Sequence, residues 1–351
     1  MGYAGGFKES VAQVAELEKA GMDIVWVAEA YGFDAPTFMG YLAAKTERIQ
    51  IASGILPIYT RTPALIAQTA ASIDYLTEGR SILGLGASGP QVIEGWHGVA
   101  YDRPLQRTRE IIEVCRTVWR RERLVHDGRT YKIPLPEGQG TGLGKPLKMI
   151  TRPVRENIPI YVASLGPKNV EMTAELADGW LPILYVPEKA KNVWGDALAK
   201  GAANRAADLA PLEVVAGGMV AIGEGLEHFR DFARPMVALY VGGMGARGKN
   251  FYNDLARRYG FEKEAELIQD LYLDGKKDEA AAAVPAELLE SMTLVGTESY
   301  VRERVAAFRE SGVTVLNVTP VGADPVKTIE LLRDMTGGFR AAPPLLGAGE
   351  D

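Results

Sequence analysis

Short apolar runs recur along this chain, and most are followed by a longer stretch whose apolar residues repeat at helical spacing. The runs fall at residues 22–28 (MDIVWVA), 49–55 (IQIASGI), 81–87 (SILGLGA), 158–164 (IPIYVAS), 179–184, 212–222 and 313–319 (VTVLNVT). Helical patterns occupy 7–20, 37–46, 63–76, 104–120, 167–176 and 325–334, with Gly21 placed to stop the first and Pro63 to open the third. Most runs are continuously apolar and do not alternate, as strands buried on both faces do. Repeated strand-then-helix units imply a parallel sheet. Two architectures fit: an open doubly wound sheet, or a (β/α)8 TIM barrel short of one strand. The chain enters its first helical pattern directly after MGYAGG, so the first barrel strand is expected to be shortened or to lie upstream of Met1.

At 351 residues the length alone suggests two domains. The surplus, however, is concentrated in two interruptions of the alternation, 121–157 and 224–311. The first carries a turn at Asp127 and Gly128 and a glycine-rich loop. The second reads as helices at 225–239, 250–259, 262–273, 276–284 and 298–311, with a flexible joint at 242–248 (GGMGARG). Neither holds enough strands for its own sheet, so the expectation is a single domain over 1–340 with loop insertions and a disordered tail at 341–351.

Composition narrows function. The net charge is −6 and no basic domain stands out, which ranks nucleic-acid binding low. Cys115 is the only cysteine, which excludes an intrachain disulfide and a cysteine-rich zinc site. His97, His126 and His228 form no i, i+4 pair, so no metal site is expected. The chain has neither a leader pattern nor a run long enough to span a membrane, which points to a cytoplasmic protein.

Several strand ends carry candidate chemistry. Gly84, Gly86 and Gly89 match G-x-G-x-x-G, but Pro90 and residues 94–98 separate them from the long helix. That context departs from a dinucleotide fingerprint. It leaves a strand end that a flat ligand can approach, or a plain tight turn. Ser53-Gly54-Ile55-Leu56-Pro57 ends another strand and suggests a bulge or an ordinary junction. Ala163-Ser164-Leu165-Gly166-Pro167-Lys168-Asn169 is a strand, a small-residue turn and a helix start, an arrangement suited to an anion. Lys145, Lys148, Arg152 and Arg155 form a local basic patch or a solvated loop. Glu29 and Tyr31 follow the first strand, and His97 lies past the third; each is an acid–base candidate or a structural residue. No G-x-S-x-G elbow is present and Cys115 falls in mid-helix, so nucleophilic hydrolysis has little support.

Taken together these pieces resemble the bacterial luciferase-like family, and within it the oxidoreductases that use the deazaflavin coenzyme F420. The resemblance is carried by Trp26-Val27-Ala28-Glu29-Ala30-Tyr31, Ser53-Gly54-Ile55-Leu56-Pro57, Arg61-Thr62-Pro63-Ala64 and Gly84-Leu85-Gly86-Ala87-Ser88-Gly89-Pro90-Gln91. It continues through Glu94-Gly95-Trp96-His97-Gly98, the turn at 163–169 and Ala177-Asp178-Gly179-Trp180, in that order over about residues 7–334. It implies a (β/α)8 barrel with the coenzyme at the strand C-termini. The ring would be backed by a non-prolyl cis bond at Ser53–Gly54 or Gly54–Ile55, with Gly86, Ala87 and Ser88 nearby. The phosphate would lie on the turn formed by Ala163, Ser164, Leu165, Gly166, Pro167 and Lys168. Trp96 and Trp180 would line the ring pocket or serve packing. Sugar-phosphate dehydrogenases of the family carry an Asp-His pair where this chain has Glu29-Ala30, and an acid where it has Ser88-Gly89, so their mechanism is not expected here. The leading expectation is hydride transfer between coenzyme F420 and a small organic substrate, with Glu29 and His97 delivering protons, in a homodimer. FMN-dependent monooxygenation is the alternative, and a non-catalytic binding protein the third.

Overall fold

The apolar runs become strands in the computed structural model, which describes residues 6–337 and Phe339. The expected tail at 341–351 and the stretch before Gly6 lie outside the described residues. Two units are distinguished among the described residues by their internal contacts: residues 6–163 with Leu176–Gly179, and Ser164–Glu175 with residues 180–337 and Phe339.

In the first unit the order is α1 (Phe7–Lys19), β1 (Ile24–Val27), α2 (Ala35–Ala43), β2 (Gln50–Ser53), β3 (Leu56–Pro57), α3 (Pro63–Leu76) and β4 (Ser81–Gly86). Then come α4 (Pro90–Gly95), α5 (Pro104–Trp119), β5 (His126–Asp127), β6 (Lys132–Ile133) and β7 (Ile160–Ala163). Strands β1, β2, β4 and β7 lie side by side and parallel, and β3 pairs with β4. Every residue of β2 and β4 is buried, as their unbroken apolar runs require. Helix α2 starts two residues before the expected 37 because Asp34 caps it, its carboxylate accepting from the Thr37 N–H, and it ends at Ala43. Thr62 does the same for α3 ahead of Pro63. Helices α3 and α5 are joined where the Trp119 indole N–H donates to the Ala67 carbonyl at 3.0 Å. Cys115 is fully buried in α5, and burial pushes its thiol pKa up.

Within 121–157 the expected turn is an antiparallel hairpin of β5 and β6. One carboxylate holds it. Glu110 on α5, 1% exposed, accepts from the N–H groups of Arg129 at 2.9 Å, Thr130 at 3.1 Å and Tyr131 at 2.8 Å. The Gln106 amide and the His126 ring also meet it. Burial works to raise the Glu110 pKa. The Tyr131 amide, Gln106, His126 and the Thr130 amide outweigh it and hold the carboxyl below its ordinary range.

The second unit follows with α6 (Pro167–Leu176), β8 (Gly179–Trp180), α7 (Pro187–Ala203), β9 (Glu213–Ala216) and β10 (Met219–Ile222); the C-terminal end of α6 and Gly179 belong to the first. A 3-10 turn over Glu227–Ala233 leads into α8 (Arg234–Ala238) and a π-helical turn over Leu239–Gly243. Next are α9 (Phe251–Arg258), α10 (Glu262–Leu273), α11 (Lys277–Ala282), α12 (Ala286–Met292), β11 (Leu294–Gly296), α13 (Glu298–Glu310), β12 (Val315–Leu316), β13 (Thr319–Pro320) and α14 (Pro325–Met335). Strand β9 pairs in parallel with β12, while β10 lies between β11 and β13. A core of Trp180, Tyr185, Trp194 and Phe308 packs among them, with Tyr185 and Trp194 stacked at 5.7 Å.

Several expectations change here. The run 212–222 is two strands, broken at Gly217 and Gly218, where added Cβ atoms would lie 2.1 Å from the Asn317 carbonyl oxygen and 2.0 Å from that of Met292. The run 313–319 divides in the same way, into β12 and β13. The stretch 224–311 is not wholly an insertion, because β11 inside it pairs with β10; three apolar residues between helices gave too short a signal. Helix α7 was not expected, since Gly195 and Gly201 weaken its pattern.

Stability held by the Glu110 contacts is present above the ordinary glutamate pKa of about 4.3 and is lost as pH falls through the lower folded value. Protection from amide hydrogen exchange at Arg129, Thr130 and Tyr131, taken relative to the intrinsic rate at each pH, is expected to be high at neutral pH and to fall in acid. Glu110→Ala should give the same low protection at neutral pH.

Candidate active site

Because β1, β2 and β4 are parallel neighbours, their C-terminal ends deliver residues 28–34, 54–55 and 87–103 to one edge of the first unit. The register there is set by Ser53. Its buried hydroxyl accepts from the Gly84 N–H at 2.8 Å and donates to the Gly84 carbonyl at 2.9 Å. A Cβ on Gly84 would lie 1.8 Å from the Ser53 carbonyl oxygen, and one on Gly86 would lie 2.6 Å from Ile55 Cδ1 and 3.4 Å from Ala163 Cβ. The G-x-G pair therefore admits a neighbouring strand and the Ile55 side chain. The ligand approach expected at Gly84 is not available, since protein atoms fill that space. Likewise, the expected coenzyme contact at Ser53 is not open to its hydroxyl, which is occupied within the sheet. The peptide Gly54–Ile55 is cis, the second of the two positions that the resemblance allowed.

Glu29 sits just beyond β1, with its side chain 7% exposed. Arg61 grips it through both guanidinium nitrogens, at 2.6 and 2.9 Å, and the Ala35 N–H donates to it at 2.8 Å. Both oxygens are engaged, so the geometry makes Glu29 a clamp on the 28–35 segment and leaves it poorly placed for proton transfer. Arg61 escaped the sequence reading as its partner, although Arg61-Thr62-Pro63 marks a helix start.

Past β4, Ser88 adopts a left-handed conformation at φ 58°, and its carbonyl accepts from the Tyr101 hydroxyl at 3.4 Å. Ala87 precedes it, and α4 follows. His97 comes two residues beyond α4; its Nε2 is buried and has no hydrogen-bond partner. Trp96 is 66% exposed and lies 6.4 Å from the ring of Tyr31, itself 63% exposed.

The second unit carries the turn before α6. The Ser164 hydroxyl meets Thr173 Oγ1 at 2.9 Å, and its carbonyl accepts from the Trp180 indole at 2.9 Å. The Leu165 carbonyl accepts from the Trp194 indole at 3.0 Å. Two buried indoles thus fix the turn from below, so Trp180, 1% exposed, is a packing and anchoring residue and lines no open pocket. Gly166 stands in open space, with nothing within 4 Å of an added Cβ. At the start of α6 the Asn169 and Val170 N–H groups both donate to the Gly166 carbonyl at 2.9 Å, Pro167 has no N–H, and Lys168 is exposed with no acidic partner among the described residues. Asn169 Oδ1 is buried and unpartnered. Of the expected basic patch, Arg155 is committed elsewhere, ion-paired with buried Asp74 and donating to the Ser81 carbonyl. Among the described residues no group of His, Cys, Asp or Glu could hold a metal ion.

Comparison with known proteins adds the context. The profile of the luciferase-like monooxygenase family matches residues 1–315. A protein of Mycobacterium tuberculosis named as a coenzyme F420-dependent oxidoreductase is 42% identical over 323 residues, covering 91% of this chain and 92% of the relative. The 5,10-methylenetetrahydromethanopterin reductase of Archaeoglobus fulgidus is 29% identical over 326 residues, covering 90% of each. Among solved structures, the coenzyme F420-dependent tetrahydromethanopterin reductase of Methanopyrus kandleri superposes with a TM-score of 0.77 at 21% identity over 94% of each chain. These likenesses give the fold as the parallel α/β barrel of the luciferase-like type, as the strand–helix alternation and the resemblance led us to expect.

Gly84→Ala should destabilise the protein by about 3 kcal/mol or prevent folding, because the clash is with backbone. Gly166→Ala should change the urea midpoint little.

Proposed function

The chain belongs to the luciferase-like monooxygenase family, and from that premise we propose that it is a coenzyme F420-dependent oxidoreductase acting on a small organic substrate. The observation that carries this reading is the 42% identity, over 91% of the chain, to a relative named for that coenzyme. The residues present fit such a group. The turn before α6 offers the positive end of a ten-residue helix, an unpaired Lys168 and, at Gly166, room for a phosphate to approach main chain. In the first unit, the Gly54–Ile55 segment, Ala87 and Ser88 are assigned to the ring, with Ser53 contributing backbone alone and Gly86 admitting the Ile55 side chain.

When bound, the coenzyme supplies or accepts the hydride; orientation and proton management fall to the protein. His97 is assigned the proton, because its Nε2 is unpartnered and stands at the same strand-end edge as Gly54 and Gly86. Glu29 is assigned a positioning role through Arg61 and the Ala35 amide. The acidic net charge favours a small-molecule partner over nucleic acid. A single functional domain, a homodimer and a cytoplasmic location complete the reading. It is supported by exposed Leu143, Leu147 and Ile150, which offer a surface to cover, and by the lack of any described helix long and apolar enough to cross a membrane.

Titration with coenzyme F420 and with FMN tests the assignment. Tight binding of F420 is expected; tight FMN binding without F420 binding would overturn it. Gly166→Asp should weaken F420 binding about tenfold by setting a like charge at the phosphate, while Gly166→Ala stays within about twofold. His97→Ala should lower kcat about 100-fold with F420 affinity unchanged.

A further inference from the structure

Successive carbonyls at the turn before α6 are all taken up by the protein. The Ser164 carbonyl accepts from the Trp180 indole at 2.9 Å, and the Leu165 carbonyl from the Trp194 indole at 3.0 Å. The Gly166 carbonyl accepts from the Asn169 and Val170 N–H groups at 2.9 Å. The peptides joining Ser164 to Leu165 and Leu165 to Gly166 are both trans. In a trans peptide the C=O and the N–H of one plane point in opposite directions. The Leu165 and Gly166 N–H groups therefore point away from the two indoles. Among the described residues neither meets an acceptor. Gly166 places no side chain over them, and an added Cβ there would meet nothing within 4 Å. Lys168 stands exposed at the start of the helix that follows.

The indoles are locked in place. Trp180 and Trp194 are fully buried and meet edge to face at 5.1 Å; Trp194 also stacks on Tyr185 at 5.7 Å and meets Tyr259 at 6.2 Å. The Ser164 hydroxyl is tied to Thr173 Oγ1. Flipping the peptide between Leu165 and Gly166 would turn its N–H inward and leave the Trp194 N–H buried without a partner, at the full cost of desolvation. The same holds for Trp180 and the peptide before it. Two adjacent N–H donors are thus held outward before any ligand arrives. A lysine attracts an anion without fixing its direction, whereas main-chain N–H groups at set positions select where its oxygens lie.

We propose that Trp180 and Trp194 are positioning residues for phosphate, acting through the Ser164 and Leu165 carbonyls to aim the Leu165 and Gly166 N–H groups at its oxygens. The proposal deepens the oxidoreductase reading and rests on it for the source of the phosphate, which is then the coenzyme.

The test uses the full chain with Trp194→Phe and Trp180→Phe, which remove the indole N–H and keep an aromatic ring. Affinity is measured for F420 and for the same deazaflavin with a bare ribityl chain and no phosphate. Each variant is expected to bind F420 about tenfold more weakly and the phosphate-free chromophore within about twofold of the unaltered protein. Equal weakening for the two ligands, which a merely structural role would give, overturns the proposal, as does unchanged F420 affinity. A second measurement needs no variant. In amide proton–nitrogen correlation spectra of the unaltered protein, F420 should shift the Leu165 and Gly166 signals and the phosphate-free chromophore should not. No shift at either amide with F420 overturns the proposal. Shifts with inorganic phosphate alone assign the donors to a free anion and overturn the coenzyme as the source. Failure of F420 to bind at all overturns the oxidoreductase reading. The inorganic phosphate titration, repeated on Trp194→Phe, then judges the indoles by themselves: shifts lost in the variant support their role, and shifts retained overturn it.

Discussion

The strand-end edge of the first unit depends on one close approach. The Ser53 carbonyl of β2 sits where a side chain at Gly84 of β4 would begin, and the Ser53 hydroxyl takes both the N–H and the carbonyl of the same glycine. The contact fixes the register of two fully buried strands, and with it the height at which the Gly54–Ile55 peptide leaves the sheet. Ile55 then covers Gly86, which opposes Ala163 on the next strand. Main chain from three strands is thus held at one level by small residues. A ligand that reads main chain gains a preorganised surface, because little conformational freedom remains to be lost on binding.

Much of this was legible in the residues. Continuous apolar runs identified the buried parallel strands, and Pro63 and Pro167 marked helix starts that the structure places where expected. The turn before α6 was legible as a strand-to-helix turn because small residues ahead of a helix have a direct physical meaning. Pairings between distant residues were not legible. Nothing local tells a reader that Glu29 belongs to Arg61, or that Glu110 belongs to a hairpin 16 to 21 residues away. Glycine was the other blind spot. A glycine that faces open space and one that admits a neighbouring strand look alike in one dimension, and Gly166 and Gly84 prove to be one of each kind. At Gly217 and Gly218, the same ambiguity hid a change of partner strands.

Glu29 and His97 lie in opposite hydrogen-bonding environments. Glu29, a natural choice for proton transfer by position, has every oxygen occupied, so its energetic role is to order the loop after β1. His97 has the opposite property: a polar atom withdrawn from water and given no partner. Such an atom costs free energy in the resting protein, and that cost falls only when something arrives to share a hydrogen bond.

The hairpin of β5 and β6 illustrates how one side chain can govern variation. Glu110 meets it chiefly through the N–H groups of residues 129–131, which any amino acid except proline can provide. The identity of those residues is therefore nearly unconstrained, whereas their number is fixed by the reach of a single carboxylate. Across relatives this loop should drift freely in composition yet resist insertion and deletion, a pattern opposite to that of most surface turns.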